Sequence, residues 1–192
     1  MNLYGNTINP SILVIGVFHG DEPQGEYLIN QYLNKLPNTN LLMIPRLNSS
    51  NTRVNKNGVD LNRNFPTKNW VHSERNEYFG GESPASEKET RFIIDTVEKF
   101  NPKVILSLHA PYKVVNYDGG NSENLFIIDK ISKIMNYPIE PSIGYPTPGS
   151  FGTWAGIEKG ILTITLELDE EIDVAKIEEP VFKVFELLEG IK

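Results

Sequence analysis

The sequence predicts an α/β fold: a mixed, largely parallel twisted β-sheet covered by helices on both faces, a three-layer α/β/α arrangement. Two observations predict it. Short apolar runs rich in branched residues recur as "ILVIGVF" (12–18), "LLMIP" (41–45), "VILSLH" (104–109) and "ILTITLEL" (161–168). Between them lie longer segments whose apolar residues return every three or four positions. Strands that alternate with helices build parallel sheets with a helical layer on each side.

Each element follows from its own pattern. Ser11 to Phe18 is apolar and branched, the signature of a buried strand. From Pro23 to Leu36, the residues Leu28, Ile29, Tyr32, Leu33 and Leu36 recur at helical spacing, and Pro23 suits a first turn. Leu41 to Pro45 is a second strand. The stretch 48–70, "NSSNTRVNKNGVDLNRNFPTKNW", is polar and rich in asparagine, and loops of such length usually carry function. Asn57-Gly58 marks a turn inside it. Ser86 to Phe100 is a helix, with Ser86 and Glu89 spaced as a capping box. Lys103 to His109 is a third strand, and Tyr112 to Tyr117 is a further candidate. Asn121 to Met135 is a helix entered through Asn121 or Ser122. In Ile161 to Leu168, threonines alternate with large apolar residues, which favours a strand. Ile177 to Leu188 is a final amphipathic helix. With no internal repeat and no linker, residues 1–192 read as one domain.

Composition narrows the function. The chain is 39% hydrophobic and 22% charged, as globular proteins are. A net charge of −7 argues against nucleic acid or an anionic membrane as a partner. No protein partner is evident. There is no cysteine, so disulfides and thiolate metal sites are excluded. Ile12 to Phe18 is too short to span a bilayer and lacks the basic flank of a leader. The expected location is cytoplasmic.

In open α/β sheets ligands bind beyond the carboxyl ends of the strands. His19, His109 and Glu167 occupy three such ends. A catalytic zinc takes three protein ligands and keeps a position for water. His19 and Glu22 can share one ion if the turn between them is tight, with Gly20 supplying backbone freedom. His109 is the candidate third ligand. An H-x-x-E pair also arises by chance, and both readings stand at this level. His72 lies in a polar stretch with no strand behind it and reads as a surface residue. Arg53, Asn62 and Arg63 suit recognition of a carboxylate, since a guanidinium binds one through two parallel hydrogen bonds. The same loop also reads as a solvated turn. A carboxylate inside an apolar strand is costly unless partnered, so Glu167 is expected to face a site, whereas Glu170 and Glu171 are expected to be solvated.

Together, His19-x-x-Glu22, Arg53, "GVDLNRNFP", His109 and a late strand ending in Glu167 resemble the M14 zinc metallocarboxypeptidases. Tyr145 and Trp154, in that order before Glu167, extend the likeness, which spans about Ile12 to Leu168. The resemblance implies a zinc carboxypeptidase-like fold and one zinc ion held by His19, Glu22 and His109. It implies Glu167 as the catalytic acid–base and Arg53 at the scissile carbonyl. Asn62 and Arg63 would anchor the free carboxylate of a small peptide substrate. Tyr145 would close over that substrate, or else be a packing tyrosine. The small size and "TPGSFGTWAG" resemble the compact bacterial branch that trims murein peptides at the bond between γ-D-glutamate and meso-diaminopimelate. "SFGTW" places neutral groups where some relatives carry an acid, so a preference for basic residues is not expected. Two other readings remain. Succinylglutamate desuccinylases and aspartoacylases share H-x-x-E and a similar loop but cut N-acyl amino acids. A non-catalytic peptide-binding descendant should lack a ligand or the glutamate, and here all are present.

Overall fold

The computed structural model describes residues 1–121, 125–140 and 145–191. Its first half contains β1 (Tyr4–Gly5), β2 (Ile12–Val17), α1 (Gln24–Lys35), β3 (Leu42–Arg46) and α2 (Lys88–Phe100). The second half adds β4 (Val104–His109), β5 (Val115–Asp118), α3 (Leu125–Met135), β6 (Leu162–Glu167) and α4 (Glu178–Glu189). One sheet has the order β1-β3-β2-β4-β6-β5. Its four inner strands run parallel, and the two edge strands run antiparallel to their neighbours. The expected mixed, largely parallel sheet is therefore present.

Successive strand residues point to opposite faces, and the core divides accordingly. Val14, Leu106 and Ile164 meet Leu28 of α1, Ile131 of α3 and Phe185 of α4. On the other face, Leu13, Ile15 and Ile105 meet Ile93 and Val97 of α2, together with Phe151 and Trp154. These side chains are at most 4% exposed. Each large aliphatic or aromatic group so buried stabilises the fold by about 1.5–3 kcal/mol before entropy is counted. Among the described residues no helix is long and apolar enough to cross a membrane.

The capping box expected for α2 fails. α2 starts at Lys88 with Glu87 as its N-cap, and no side chain caps it. Ser86 instead accepts a hydrogen bond from Asn64 Nδ2 and donates to Glu87, so the capping box does not form. α3 begins at Leu125, and its proposed entry at Ser122 lies outside the described residues. β1, a 3-10 turn at Leu61–Arg63 and a π-helical segment at Gly152–Glu158 were not expected.

The carboxyl end of β2 is pressed closely against both β3 and the start of α1. A Cβ on Gly16 would fall 1.9 Å from the Pro45 carbonyl oxygen, and one on Gly25 would fall 3.0 Å from the Gly16 Cα. This approach keeps the turn between strand and helix short. Gly16→Ala should therefore lower stability by roughly 1–3 kcal/mol, seen as a lower urea midpoint with unchanged slope. An unchanged midpoint would show that strand and helix have room to spare.

Candidate active site

The chain leaves β2 through buried Phe18 and turns at once. The Glu22 amide donates to the His19 carbonyl at 3.1 Å, closing a tight turn that returns Glu22 to His19. Gly20 is needed for proximity rather than for backbone freedom: a Cβ there would lie 2.3 Å from the Ser50 carbonyl oxygen. Pro23 then caps α1 and accepts from the Glu26 amide.

The Glu22 carboxylate lies between two imidazoles. Its Oε1 is 2.7 Å from His19 Nδ1, and its Oε2 is 3.0 Å from His109 Nδ1. One ligand atom from each of the three residues lies within 4.8 Å of the other two. His109 arrives at the end of β4 and stacks on Phe18, with ring centroids 5.4 Å apart. Two imidazole nitrogens and one carboxylate, open to a cleft on one side, fit a zinc ion that keeps a position for water. His19, Glu22 and His109 thus form a possible metal site.

Behind them sits Asp60, a residue to which the sequence reading gave no role. It is fully buried. Its Oδ1 meets His19 Nε2 at 3.2 Å and accepts from the Asn62 amide at 2.9 Å. Its Oδ2 accepts from Arg53 Nε and Nη2 at 3.1 and 2.8 Å. A carboxylate on the far nitrogen of a ligating histidine fixes ring orientation and raises ligand basicity. The cost argument that singled out Glu167 applies equally to an aspartate between Val59 and Leu61, and it is the signal that was available.

The charges respond to these contacts. Burial alone would lower the His19 pKa, but hydrogen bonds and charge from Asp60 and Glu22 outweigh it and hold the imidazole up to about 9. Burial works to raise Glu22, yet the charge and hydrogen bond of His109, with those of His19, bring it down to about 2. Asp60 is held below the usual carboxylate range against its burial, chiefly by His19, then by Arg53 and Arg63.

Glu167 ends β6, paired in register with His109 of β4. It is 5% exposed, and its Oε2 is buried without a hydrogen-bond partner. Burial pushes its carboxyl up. Across the cleft, the 3-10 turn after Asp60 presents Asn62 and Arg63. Asn62 Oδ1 accepts from the Phe151 amide at 2.9 Å, which fixes the side-chain amide; its NH2 has no hydrogen-bond partner among the described residues. Arg63 is 5% exposed and donates to the Asn62 carbonyl, but forms no ion pair among the described residues. Tyr145 is 37% exposed, with its ring centroid 5.9 Å from the Arg63 guanidinium carbon. His19, Glu22, Arg53, Asn62, Arg63, His109, Tyr145 and Glu167 all line one cleft of about 260 Å³. All eight residues singled out from the sequence are therefore brought together. His72 lies outside it, its side chain 60% exposed beside Glu82. Glu170 is exposed at the rim, and Glu171 is exposed as well.

The sequence profile of the zinc carboxypeptidases, peptidase family M14, matches residues 43–175. The chain belongs to this family. Six of the eight cleft residues fall within the match, while His19 and Glu22 precede it and join the site through the fold. Over 174 residues, this chain is 33% identical to murein peptide amidase A of Vibrio campbellii, covering 81% of this chain and 68% of that one. Its structure is similar to that of murein-tripeptide amidase MpaA from Escherichia coli O157, with a TM-score of 0.85 and 26% identity. That match covers 99% of this chain and 86% of the other. Carboxypeptidase A from Helicoverpa armigera shares the fold at a TM-score of 0.76 and 20% identity, over 94% of this chain and 61% of that one. The family makes this chain a hydrolase of the peptidase and amidase class.

The charge pattern sets the pH dependence of the metal-free protein. His19 is raised from 6.5 to about 9, so its contribution is full below pH 6.5 and is lost as pH rises toward 9. Glu22 is lowered from 4.5 to about 2, so its contribution is full above pH 4.5 and is lost as pH falls toward 2. The unfolding midpoint of chelator-treated protein should therefore fall between pH 6.5 and 9, and Asp60→Asn should flatten much of that slope. A slope of the same size in Asp60→Asn would mean that Asp60 does not hold the proton on His19.

Proposed function

We propose that this hydrolase is a zinc-dependent amidase that removes the last residue of a murein peptide, cutting the bond between γ-D-glutamate and meso-diaminopimelate. One observation carries the reading. A three-ligand cluster, a buried carboxylate with an unpartnered oxygen and a buried, unpaired arginine share a single cleft. The murein peptide amidases among its relatives supply the substrate class.

His19 and His109 would hold one zinc ion through Nδ1, with Glu22 as the third ligand. Bound there, zinc lowers the pKa of a water toward roughly 7 and polarises a carbonyl. Glu167 takes the proton of the attacking water on its carboxylate and passes it to the leaving nitrogen. The raised carboxyl of Glu167 is better matched to that exchange near neutral pH than an ordinary glutamate. Arg53 is held through Nε and Nη2 by Asp60, which leaves Nη1 to meet the oxyanion that develops on the scissile carbonyl. Asn62 and Arg63 anchor the terminal carboxylate, so that the last amide bond is the one set beside Arg53 and Glu167. Tyr145 covers the bound peptide from beside Arg63. The reading carries a cytoplasmic location with it, which fractionation of cells expressing the chain would check.

Zinc-loaded protein incubated with L-Ala-γ-D-Glu-meso-diaminopimelate should release diaminopimelate, detected by mass spectrometry. Turnover of N-succinylglutamate or N-acetylaspartate in its place would instead identify a deacylase. Glu167→Gln should lower kcat by roughly 10²–10⁴-fold and retain its zinc. Undiminished turnover in that variant would remove Glu167 from the chemistry. His109→Ala should lose tight zinc binding, measured by competition with a chromogenic chelator; full occupancy would exclude His109 as a ligand.

A further inference from the structure

Open space continues past the proposed carboxylate anchor. Beyond it lies a second cavity of about 380 Å³, larger than the cleft of about 260 Å³. Arg63 and Tyr145 line both spaces and form the partition between them. Asn62 lines the cleft alone. The two anchoring groups therefore stand at different depths along one path. Val71, Pro146 and Pro148 give the second cavity apolar walls, joined by the ring of Tyr78. Arg63 is its one charged lining group among the described residues, and no acid lines it.

Arg63 is the group that both spaces share, and it is buried without an ion pair among the described residues. Its Nη1 donates to the Asn62 carbonyl, and its guanidinium carbon lies 6.0 and 5.9 Å from the ring centroids of Tyr78 and Tyr145. A buried guanidinium without a carboxylate is costly, and a ligand that brings one relieves the cost. The planar fork carries donors on more than one edge, so a carboxylate can reach it from either space. An enzyme confined to the last residue of a peptide needs solid protein behind its anchor, because room there admits a longer chain. Here that room is open, apolar and bounded by the arginine. One added residue moves a terminal carboxylate by at most about 3.3–3.6 Å, a step that a group lining both spaces can follow.

We propose that the second cavity receives one further residue, small and apolar with a free carboxylate, as alanine is, and that the chain also cuts the penultimate amide of a peptide so extended. This rests on the reading of Asn62 and Arg63 as the carboxylate anchor. In the longer peptide the Asn62 NH2, which has no other hydrogen-bond partner among the described residues, donates to the carbonyl oxygen of the diamino acid. Arg63 receives the new carboxylate from the cavity side, and the alanine methyl lies against Val71, Pro146 and Pro148. Water adds to the γ-carbonyl carbon of D-glutamate, the C–N bond to diaminopimelate breaks, and a proton of that water passes to the freed amine. The products are L-alanyl-D-glutamate and an intact diaminopimelyl-alanine dipeptide.

The test compares zinc-loaded wild type with Val71→Trp on L-Ala-γ-D-Glu-meso-diaminopimelate and on the same peptide extended by D-alanine. Val71 is 59% exposed and lies outside the cleft, so the larger ring fills the second cavity without disturbing the core. The wild type should cleave both peptides, with kcat/KM on the longer one within about tenfold of the shorter, and mass spectrometry should detect intact diaminopimelyl-D-alanine. Val71→Trp should lower kcat/KM on the longer peptide by on the order of tenfold or more, mostly through KM, and change the shorter by less than about twofold. Loss of D-alanine ahead of diaminopimelate, no turnover of the longer peptide, or an equal loss on both peptides in Val71→Trp overturns the proposal. Calorimetry with diaminopimelate and diaminopimelyl-D-alanine reads the cavity without turnover: Val71→Trp should weaken the dipeptide alone, and an unchanged dipeptide affinity counts against the site. If neither murein peptide is cleaved while benzoyl-glycyl-leucine is, the murein reading falls. Benzoyl-glycyl-leucyl-alanine then decides the cavity: release of leucyl-alanine supports it, and no release ends it.

Discussion

A carboxylate shut away from water has to be met on both oxygens, and around Asp60 that requirement organises the site. One oxygen serves His19 and the Asn62 amide, and the other serves Arg53. Three parts of the cleft are thereby tied to a single buried group: a metal-ligand candidate, the proposed oxyanion donor and the turn that bears the proposed carboxylate anchor. Leaving such a charge without one partner costs several kcal/mol, so the parts move as a set or not at all. The ties continue outward. Asn55 closes the turn that leads to Asp60 by accepting from the Val59 amide, and it donates in turn to Glu87 at the start of α2.

The sheet does the rest of the alignment. In a parallel pair, register decides which side chains stand side by side, and β4 and β6 set His109 beside Glu167. The same register places the hydroxyls of Ser107 and Thr165 beneath them. A sheet face otherwise covered by apolar groups thus becomes polar where a substrate would lie. Strand β2, next to β4, delivers His19 to the same edge. Chemistry collects there because the parallel strands all end on that side.

Much of this was legible in the sequence. Long buried strands and amphipathic helices announce themselves by period, and the four inner strands and four helices followed within a few residues. Of the eight residues that line the cleft, the histidines stood out because they are few, and the arginines and glutamates because they are conspicuous in a polar loop, a tight turn or an apolar strand; Tyr145 was reached only through the family resemblance. What escaped was set by tertiary context. β1 is too short to show a period. Asn64 takes Ser86 for its own hydrogen bond, so a plausible cap was diverted. The π-helical segment has no pattern separable from an ordinary helix or loop. Asp60 was overlooked because it sits inside a motif whose neighbours were more eye-catching.

The outer strands of the sheet are stubs, of two and four residues, both running against the grain of their neighbours. So short a border offers another molecule few free backbone groups to pair with, which guards against fibril-like stacking. On one flank that guard is slight. Tyr4 and Gly5 cover only Leu42 and Met43 of β3, so trimming the first few residues would bare the whole outer edge of that strand and invite self-association.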